Sequence, residues 1–356
     1  MAIETTAKQA ILIDATTGAV LLEKNADERV PPSSMSKMIT VYMVFERLKE
    51  KSLSLDDTFV VSKKAWKKGG SKMFVDVGKS VSISDLIRGV IVQSGNDASI
   101  VIAEGLAGDE KSFAEKLNRK GEELGLTNSS FANASGWPED GHFMSVRDIA
   151  ILSRRTIKDF PELYKIYAEK TFSFGGITQG NRNPLLYGNT GADGLKTGHT
   201  RAAGYGLAAS AIRNGRRLIL VVNGLASMRA RTKESRRLMA WGFREFRNYT
   251  LFRKGDTVEK AAVWLGKDKE VALVVDRDVT VTLPRRAKRT AKIKVVYTGP
   301  IPSPITKGDT LAKLTIAAPD VALLEFDLKA GKTVERLGLL GRLSAGLRYL
   351  IWGTLK

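Results

Sequence analysis

Three short motifs occur once each along the chain, in a fixed order: Ser34-Met35-Ser36-Lys37, Ser94-Gly95-Asn96 and Lys196-Thr197-Gly198. Together they hold a hydroxyl nucleophile, an amine base, a proton relay and a carboxylate anchor. They can act as one site only if the fold brings three distant segments to one cleft. Other routes to an active site are few, because the chain has no cysteine and only two histidines. His142 and His199 join no visible Ser-His-Asp pattern, and His142, after Asp140-Gly141, reads as a loop residue. Two histidines without cysteine make a poor zinc set, so no metal and no cofactor are expected.

Each motif also has a plain structural reading. Ser34 follows Pro31-Pro32-Ser33 and starts a helix expected over residues 34 to 49, with Lys37 one turn later on the same face. Alone, Ser34 would be a helix cap and Lys37 a solvated cation. As chemistry, the serine is a weak nucleophile that needs a base. Lysine, at its ordinary ~10.4, is the wrong species at neutral pH. Burial and a neighbouring cation, with Lys196 the candidate, must therefore lower it. Ser94 can relay a proton and Asn96 can bond a substrate amide and Lys37; the plain alternative is a cap for the helix beginning near Asp97. Lys196 and Thr197 can hold a carboxylate, while Gly198 lets a ligand approach the strand. The alternative there is a surface turn.

With 356 residues, 43% hydrophobic and 27% charged, the chain suggests two folded domains. Residues 9–14 and 19–23 read as a hairpin. Residues 58–130 read as strand-like pieces between helices, including one over 84–91 capped by Ser84. Residues 203–210 and 217–224 read as adjacent strands joined by Asn214-Gly215. Near Leu251 the pattern changes to short β-branched runs punctuated by Gly and Pro, notably Gly299-Pro300-Ile301-Pro302-Ser303-Pro304. The expected domains are 1–250 (α/β, α+β), 251–332 (a small all-β sandwich) and 333–356 (an amphipathic helix). In that last segment Leu337, Leu340, Leu343, Leu347, Leu350 and Ile351 follow helical spacing among Arg336, Arg342, Arg348 and Lys356. Residues 335–356 therefore read as a helix lying on an anionic membrane surface; packing on the β domain or a dimer contact are the alternatives.

The formal charge of +19 fits an anionic membrane or wall polymer. No nucleic-acid-binding signature accompanies it, so nucleic acid is not expected as a partner. No run of 18 apolar residues is present. The start, Met1-Ala2-Ile3-Glu4, reads as a mature exported chain whose leader has been removed.

The motif set is the signature of class A β-lactamases and penicillin-binding proteins. Nearly the whole chain resembles a low-molecular-mass penicillin-binding protein, a serine D-alanyl-D-alanine carboxypeptidase. Pro32 to Met38, Ser94-Gly95-Asn96-Asp97-Ala98, Asp193 to Thr200 and Trp241-Gly242-Phe243 resemble that family's segments, and a β domain and a basic amphipathic tail follow in the same order. The resemblance implies a serine β-lactamase/transpeptidase-like catalytic domain. It also implies that Ser34 attacks the bond between two terminal D-alanines of peptidoglycan stem peptides. The amides of Ser34 and His199 would then form the oxyanion hole, and Ser94 and Lys196 would pass a proton to the leaving D-alanine. Lys37 would activate the deacylating water, and β-lactams would acylate Ser34. Arg182 and Arg231 resemble positions near the substrate carboxylate, against the alternative of solvated side chains. The implied place is the periplasm, on the outer face of the cytoplasmic membrane. A D,D-endopeptidase, a β-lactamase, or a membrane-tethered wall-binding or β-lactam-sensing protein without turnover share most of these features.

Overall fold

The structure, a computed structural model, describes residues 3–319 and 321–344. It divides into two compact units, Met1–Arg244 and Glu245–Lys356. The division falls before residue 250, because the strand Phe246–Phe252 pairs with Val279–Pro284 inside the second unit.

In the first unit, strands β1 (Gln9–Asp14) and β2 (Val20–Lys24) form the expected hairpin. Next come α1 (Lys37–Lys49), β3 (Thr58–Val60), α2 (Lys63–Lys67), β4 (Ser80–Ser82), α3 (Ile83–Ile91), α4 (Asn96–Ala107), α5 (Glu110–Leu124) and α6 (Val146–Asp159). The stretch between residues 58 and 130 is thus mostly helical, with one pair of three-residue strands rather than regular alternation. The small hairpin β5 (Thr171–Phe174) and β6 (Ile177–Gly180) precedes β7 (Ala192–Thr200), β8 (Gly204–Arg213), β9 (Arg216–Leu225) and α7 (Met228–Glu245).

The main sheet is antiparallel, in the order β2-β1-β9-β8-β7. Every residue of β1 is buried, because both faces of the sheet are covered. Ile11, Ile13, Ile219 and Val221 face the large helical core, while Leu12 and Leu218 face α7 at Gly242. A Cβ on Gly242 would stand 2.6 Å from the Leu12 side chain, so glycine there sets how closely α7 approaches. The β8–β9 turn is a two-residue hairpin in which Asn214 (φ 50) and Gly215 (φ 74) are both left-handed. That twist matches the flanking strands, which is why Asn-Gly is legible as a turn.

Helix α1 is the hub of the helical layer, contacting α3, α4, α5 and α6. Its residues from Lys37 to Phe45 are all buried. A helix surrounded on every side needs apolar residues all round, so α1 carries no clean polar face. Its neighbours begin with side-chain caps: Ser82 for α3, Asp109 for α5 and Ser145 for α6. The α3 cap is Ser82 and not Ser84. Ser82 Oγ accepts the Asp85 N–H, whereas Ser84 Oγ accepts from Arg88.

The second unit contains β10 (Phe246–Phe252), β11 (Thr257–Trp264), β12 (Glu270–Val274), β13 (Val279–Pro284), β14 (Lys292–Val296), β15 (Ile301–Pro302), β16 (Thr310–Ala318) and β17 (Val321–Ala330). A six-stranded sheet runs β14-β16-β17-β12-β11-β15, and β10 pairs with β13. Alternation decides which side chains face in: Ala312, Leu314 and Ile316 on β16 join Val271, Leu273 and Leu328 in the core. The expected terminal helix does not begin at residue 335: Arg336 bridges to Gly266 and the Leu337 N–H bonds the Leu265 carbonyl, so this stretch belongs to the β unit, and helix is formed over residues 339–344. Leu339, Leu340 and Leu343 are exposed there, and residues 345–356 lie outside the described residues.

Candidate active site

Ser34 sits in a 3-10 turn, Ser33–Ser36, and the α-helix proper begins at Lys37. This corrects the expectation of a single helix from Ser34. The Met35 N–H bonds back to the Pro32 carbonyl, and Ser33 takes a left-handed φ of 51. That tight turn presents Ser34, half-buried, at the head of the buried hub helix.

Lys37 is 0% exposed. Its Nζ lies 2.9 Å from Ser34 Oγ, 2.7 Å from Asn96 Oδ1 and 2.5 Å from the Ser135 carbonyl oxygen. Asn96 Oδ1 and the Ser135 carbonyl can only accept. A neutral amine has two N–H donors and one lone pair, so in that form its lone pair is left for the Ser34 hydroxyl proton. Burial lowers Lys37 from the usual 10.5 to about 7, helped by the charges of Arg182 and Lys68 and opposed by Asp97. The cations that lower it are thus not the expected Lys196. Lys196, also buried, is held well below the ordinary lysine range by desolvation first, then by Lys37, Arg182 and Arg231.

Ser94 lies in the tight turn between α3 and α4, with φ 61, and is 2% exposed. Its Oγ accepts from Lys196 Nζ at 2.8 Å. Asn96, at the start of α4, spans the cleft: Oδ1 faces Lys37 and Nδ2 donates to the Gly69 carbonyl at 2.8 Å. Asp97 does not face the nucleophile. Its carboxylate accepts the backbone N–H groups of Met73, Phe74 and Ala98, tying the loop before β4 to α4.

β7 is an edge strand of the main sheet. Lys196 and Thr197 are buried on it. Gly198 lies against the nucleophile turn, where a Cβ would stand 3.0 Å from the Pro32 carbonyl and 3.1 Å from Ser33 Cβ. His199 is exposed, its ring stacked on Tyr205 at 4.0 Å, and its side chain bonds none of the motif residues.

The two arginines differ. Arg231 is 6% exposed, lies 5.7 Å over the Tyr205 ring, and reaches the Arg182 carbonyl at 3.4 Å. Its Nε has no hydrogen-bond partner among the described residues. Arg182 is exposed and donates to Ser71 Oγ at 2.6 Å. Neither carries an ion pair with a carboxylate among the described residues.

Three further groups border the site and were not expected. The Ser135 carbonyl is a backbone partner of Lys37. Gly136, φ 72, packs so tightly that a Cβ would be 1.9 Å from the Ser33 carbonyl oxygen. His142 lies in a loop, as expected, but the loop buries it: it is 5% exposed, its Nδ1 accepts the Ala132 N–H at 3.1 Å, and Nε2 is 3.1 Å from Ser36 Oγ. Because Nδ1 accepts, Nε2 carries the hydrogen and donates to Ser36, bracing the nucleophile turn.

Comparison with known proteins agrees with this geometry. The family described as D-alanyl-D-alanine carboxypeptidase matches residues 1–227, and that described as penicillin-binding protein 5, C-terminal domain, matches residues 246–336. D-alanyl-D-alanine carboxypeptidase DacC of Escherichia coli strain K12 is 39% identical over 340 residues, covering 93% of this chain and 85% of that protein. DacA of Haemophilus influenzae is 36% identical over 344 residues, covering 95% and 88%. Penicillin-binding protein 5 from Haemophilus influenzae superposes with a TM-score of 0.87 at 35% identity, covering 94% of this chain and 99% of that one. On these grounds the chain belongs to the D-alanyl-D-alanine carboxypeptidase family.

Proposed function

We propose that this chain is a serine D-alanyl-D-alanine carboxypeptidase that removes the terminal D-alanine of peptidoglycan stem peptides through an acyl-enzyme on Ser34. The observation that carries this is Lys37 Nζ, 2.9 Å from Ser34 Oγ, with its other two neighbours able only to accept. Lys37 takes the hydroxyl proton as Ser34 Oγ attacks the carbonyl carbon of the penultimate D-alanine. The negative oxygen that forms is held by backbone amides, for which Ser34 and His199 are the candidates; such donors typically contribute a few kcal/mol. The proton then passes by way of Ser94 and Lys196, which are 2.8 Å apart, to the departing amine. The C–N bond breaks, D-alanine leaves, and an ester to Ser34 remains. Water gives a proton to Lys37 and attacks the ester carbonyl; the bond from that carbon to Ser34 Oγ breaks, Lys37 returns the proton to Oγ, and the shortened peptide leaves as a carboxylic acid.

Thr197, Lys196 and Arg231 are proposed to hold the terminal carboxylate, with Arg182 beside them. The free Nε of the buried Arg231 supports this, since a forked guanidinium suits a carboxylate. β-Lactams present the same carboxylate and a strained amide to the same atoms, and acylate Ser34. No carboxylate among the described residues bonds Ser34, Lys37 or Ser94, which favours the lysine as base over an acidic residue.

The site of action proposed is the periplasmic face of the cytoplasmic membrane, with residues 335–356 as a peripheral anchor. The exposed Leu339, Leu340 and Leu343, and the net charge of +19, support it. No helix among the described residues is long and apolar enough to cross a membrane.

The test is labelling by a fluorescent penicillin beside D-alanine release from a peptide ending in D-Ala-D-Ala. Wild type should do both and Ser34→Ala neither. Equal labelling of the two proteins would remove Ser34 as nucleophile, and labelling without D-alanine release would leave a sensor. Co-sedimentation with anionic liposomes, compared with a chain ending at Lys332, tests the anchor; unchanged binding would reject it.

A further inference from the structure

One cation at the mouth of the cleft acts in the reaction above only at a distance, through its charge on Lys37, and touches none of the reacting groups. Lys68, just after α2, places Nζ 4.5 Å from the centre of the Trp137 ring. That is within the range of a cation–π contact. Lys68 is half-buried, and no carboxylate among the described residues lies within ion-pair distance of it. Trp137 is 41% exposed, unusually open for a residue whose backbone is pinned on both sides. Its N–H donates to Asn133 Oδ1 at 3.1 Å, and its carbonyl accepts from Asn133 Nδ2 at 2.9 Å.

This platform is coupled to the nucleophile by two short connections. Two residues before Trp137, the Ser135 carbonyl accepts from Lys37, and Gly136 between them packs on Ser33. On the other side, a Cβ on Gly70 would meet Asn96 Nδ2 at 2.7 Å and the Trp137 ring at 3.0 Å. The ring and Asn96 therefore flank Gly70 from two sides, with no room for a side chain between them. The terminal carboxylate of the substrate is already assigned to Lys196, Thr197 and Arg231. A cation stacked on an exposed ring, flanking the asparagine that faces Lys37, is surplus to that need. It is set up for a second negative charge carried on a methylene stem, with the stem against the indole and the charge at Nζ.

We propose that Lys68 and Trp137 form a subsite for a carboxylate-ended side chain on the acyl-donor half of the stem peptide. The chain then prefers an acidic side chain there over a basic one of the same length. This rests on the carboxypeptidase reading, and the test separates the two.

Three peptides ending in D-Ala-D-Ala differ only in the residue before that pair: 2-aminopimelate, lysine or Nε-acetyl-lysine. All three side chains have the same four-methylene stem. The main readout is competition of each peptide with fluorescent penicillin for Ser34, which reads occupancy whether or not D-alanine is released. Wild type should favour the carboxylate peptide over the acetyl one about fivefold, the size of a good exposed ion pair. Raising salt from about 0.05 to about 0.5 M should shrink that ratio. Lys68→Gln should bring it to one, and Lys68→Glu should invert it in favour of lysine. Trp137→Leu should reduce the ratio by leaving Lys68 unheld. An unchanged ratio in Lys68→Gln, equal weakening of all three peptides, or no competition by any of them would overturn the subsite. Competition with the expected ratio but no D-alanine release would uphold the subsite and refute the carboxypeptidase reading.

Discussion

Replacing Lys37 by methionine tests the central electrostatic argument without relying on activity. Lys37 is 0% exposed and its amine is lowered from 10.5 to about 7, chiefly by burial. The unfolded chain, with an ordinary lysine, therefore binds this proton more tightly than the folded one does. Between pH 7 and pH 10.5 the unfolded chain keeps this proton while the folded chain has largely lost it, so unfolding takes up a proton and folded stability rises with pH. At about 1.36 kcal/mol per pH unit, Lys37 costs the fold roughly 4 kcal/mol at pH 7, falling to roughly 2 kcal/mol at pH 9. Methionine has nearly the same length and no proton to lose.

The absolute effect of Lys37→Met at one pH decides little. Relief of that cost is opposed by leaving Asn96 Oδ1 and the Ser135 carbonyl without their donor, at about 1–3 kcal/mol each. The informative quantity is the stability difference between the two proteins as pH changes. Urea unfolding followed by a probe in the first unit, at pH 7, 8 and 9, should show wild type gaining about 2 kcal/mol on the variant. Penicillin acylation of wild type should rise with pH and level off near 7, where the neutral amine becomes the main form. Parallel stability curves, with acylation still climbing tenfold per unit to pH 9, would mean that Lys37 keeps an ordinary proton affinity. The argument that it serves as the base at neutral pH would then fail.

Ser94→Ala removes the acceptor that Lys196 faces at 2.8 Å; penicillin acylation, measured by stopped flow, should slow about a hundredfold with unchanged folding. Gly136→Ala forces a Cβ to within 1.9 Å of the Ser33 carbonyl at a left-handed φ, so melting should fall markedly and labelling of Ser34 should be lost or greatly slowed. His142 is lowered from 6.5 to about 4, mainly by burial, so wild type should lose about 3 kcal/mol relative to His142→Gln as pH drops across that window. Equal acid sensitivity of the two proteins, in urea titrations at pH 6.5 and 4, would show that His142 is not held neutral.

The three motifs were legible because their chemistry lies in side-chain type and short spacing, and the fold brings them together as Lys37–Ser34, Lys37–Asn96 and Lys196–Ser94 pairs. The β8–β9 hairpin was legible for a local reason too, since Asn214-Gly215 suits two left-handed residues in succession. What stayed hidden was supplied by contacts between remote segments. Ser82 and Ser84 are the same residue two positions apart, and only the helix geometry decides which Oγ reaches the Asp85 N–H. The 3-10 turn at Ser33–Ser36 depends on packing by Gly136 and bracing by His142, both about a hundred residues away in sequence. The Ser135 carbonyl is least legible of all, because every residue has a carbonyl and none announces its partner. Yet it helps set the direction of the Lys37 lone pair. With Asn96 alone as acceptor, the amine could rotate and spend its donors elsewhere; a second acceptor, fixed in backbone, leaves Ser34 facing the remaining position. The nucleophile and base are thus written in the motif, while the orientation that makes them a pair is written in a loop with no motif at all.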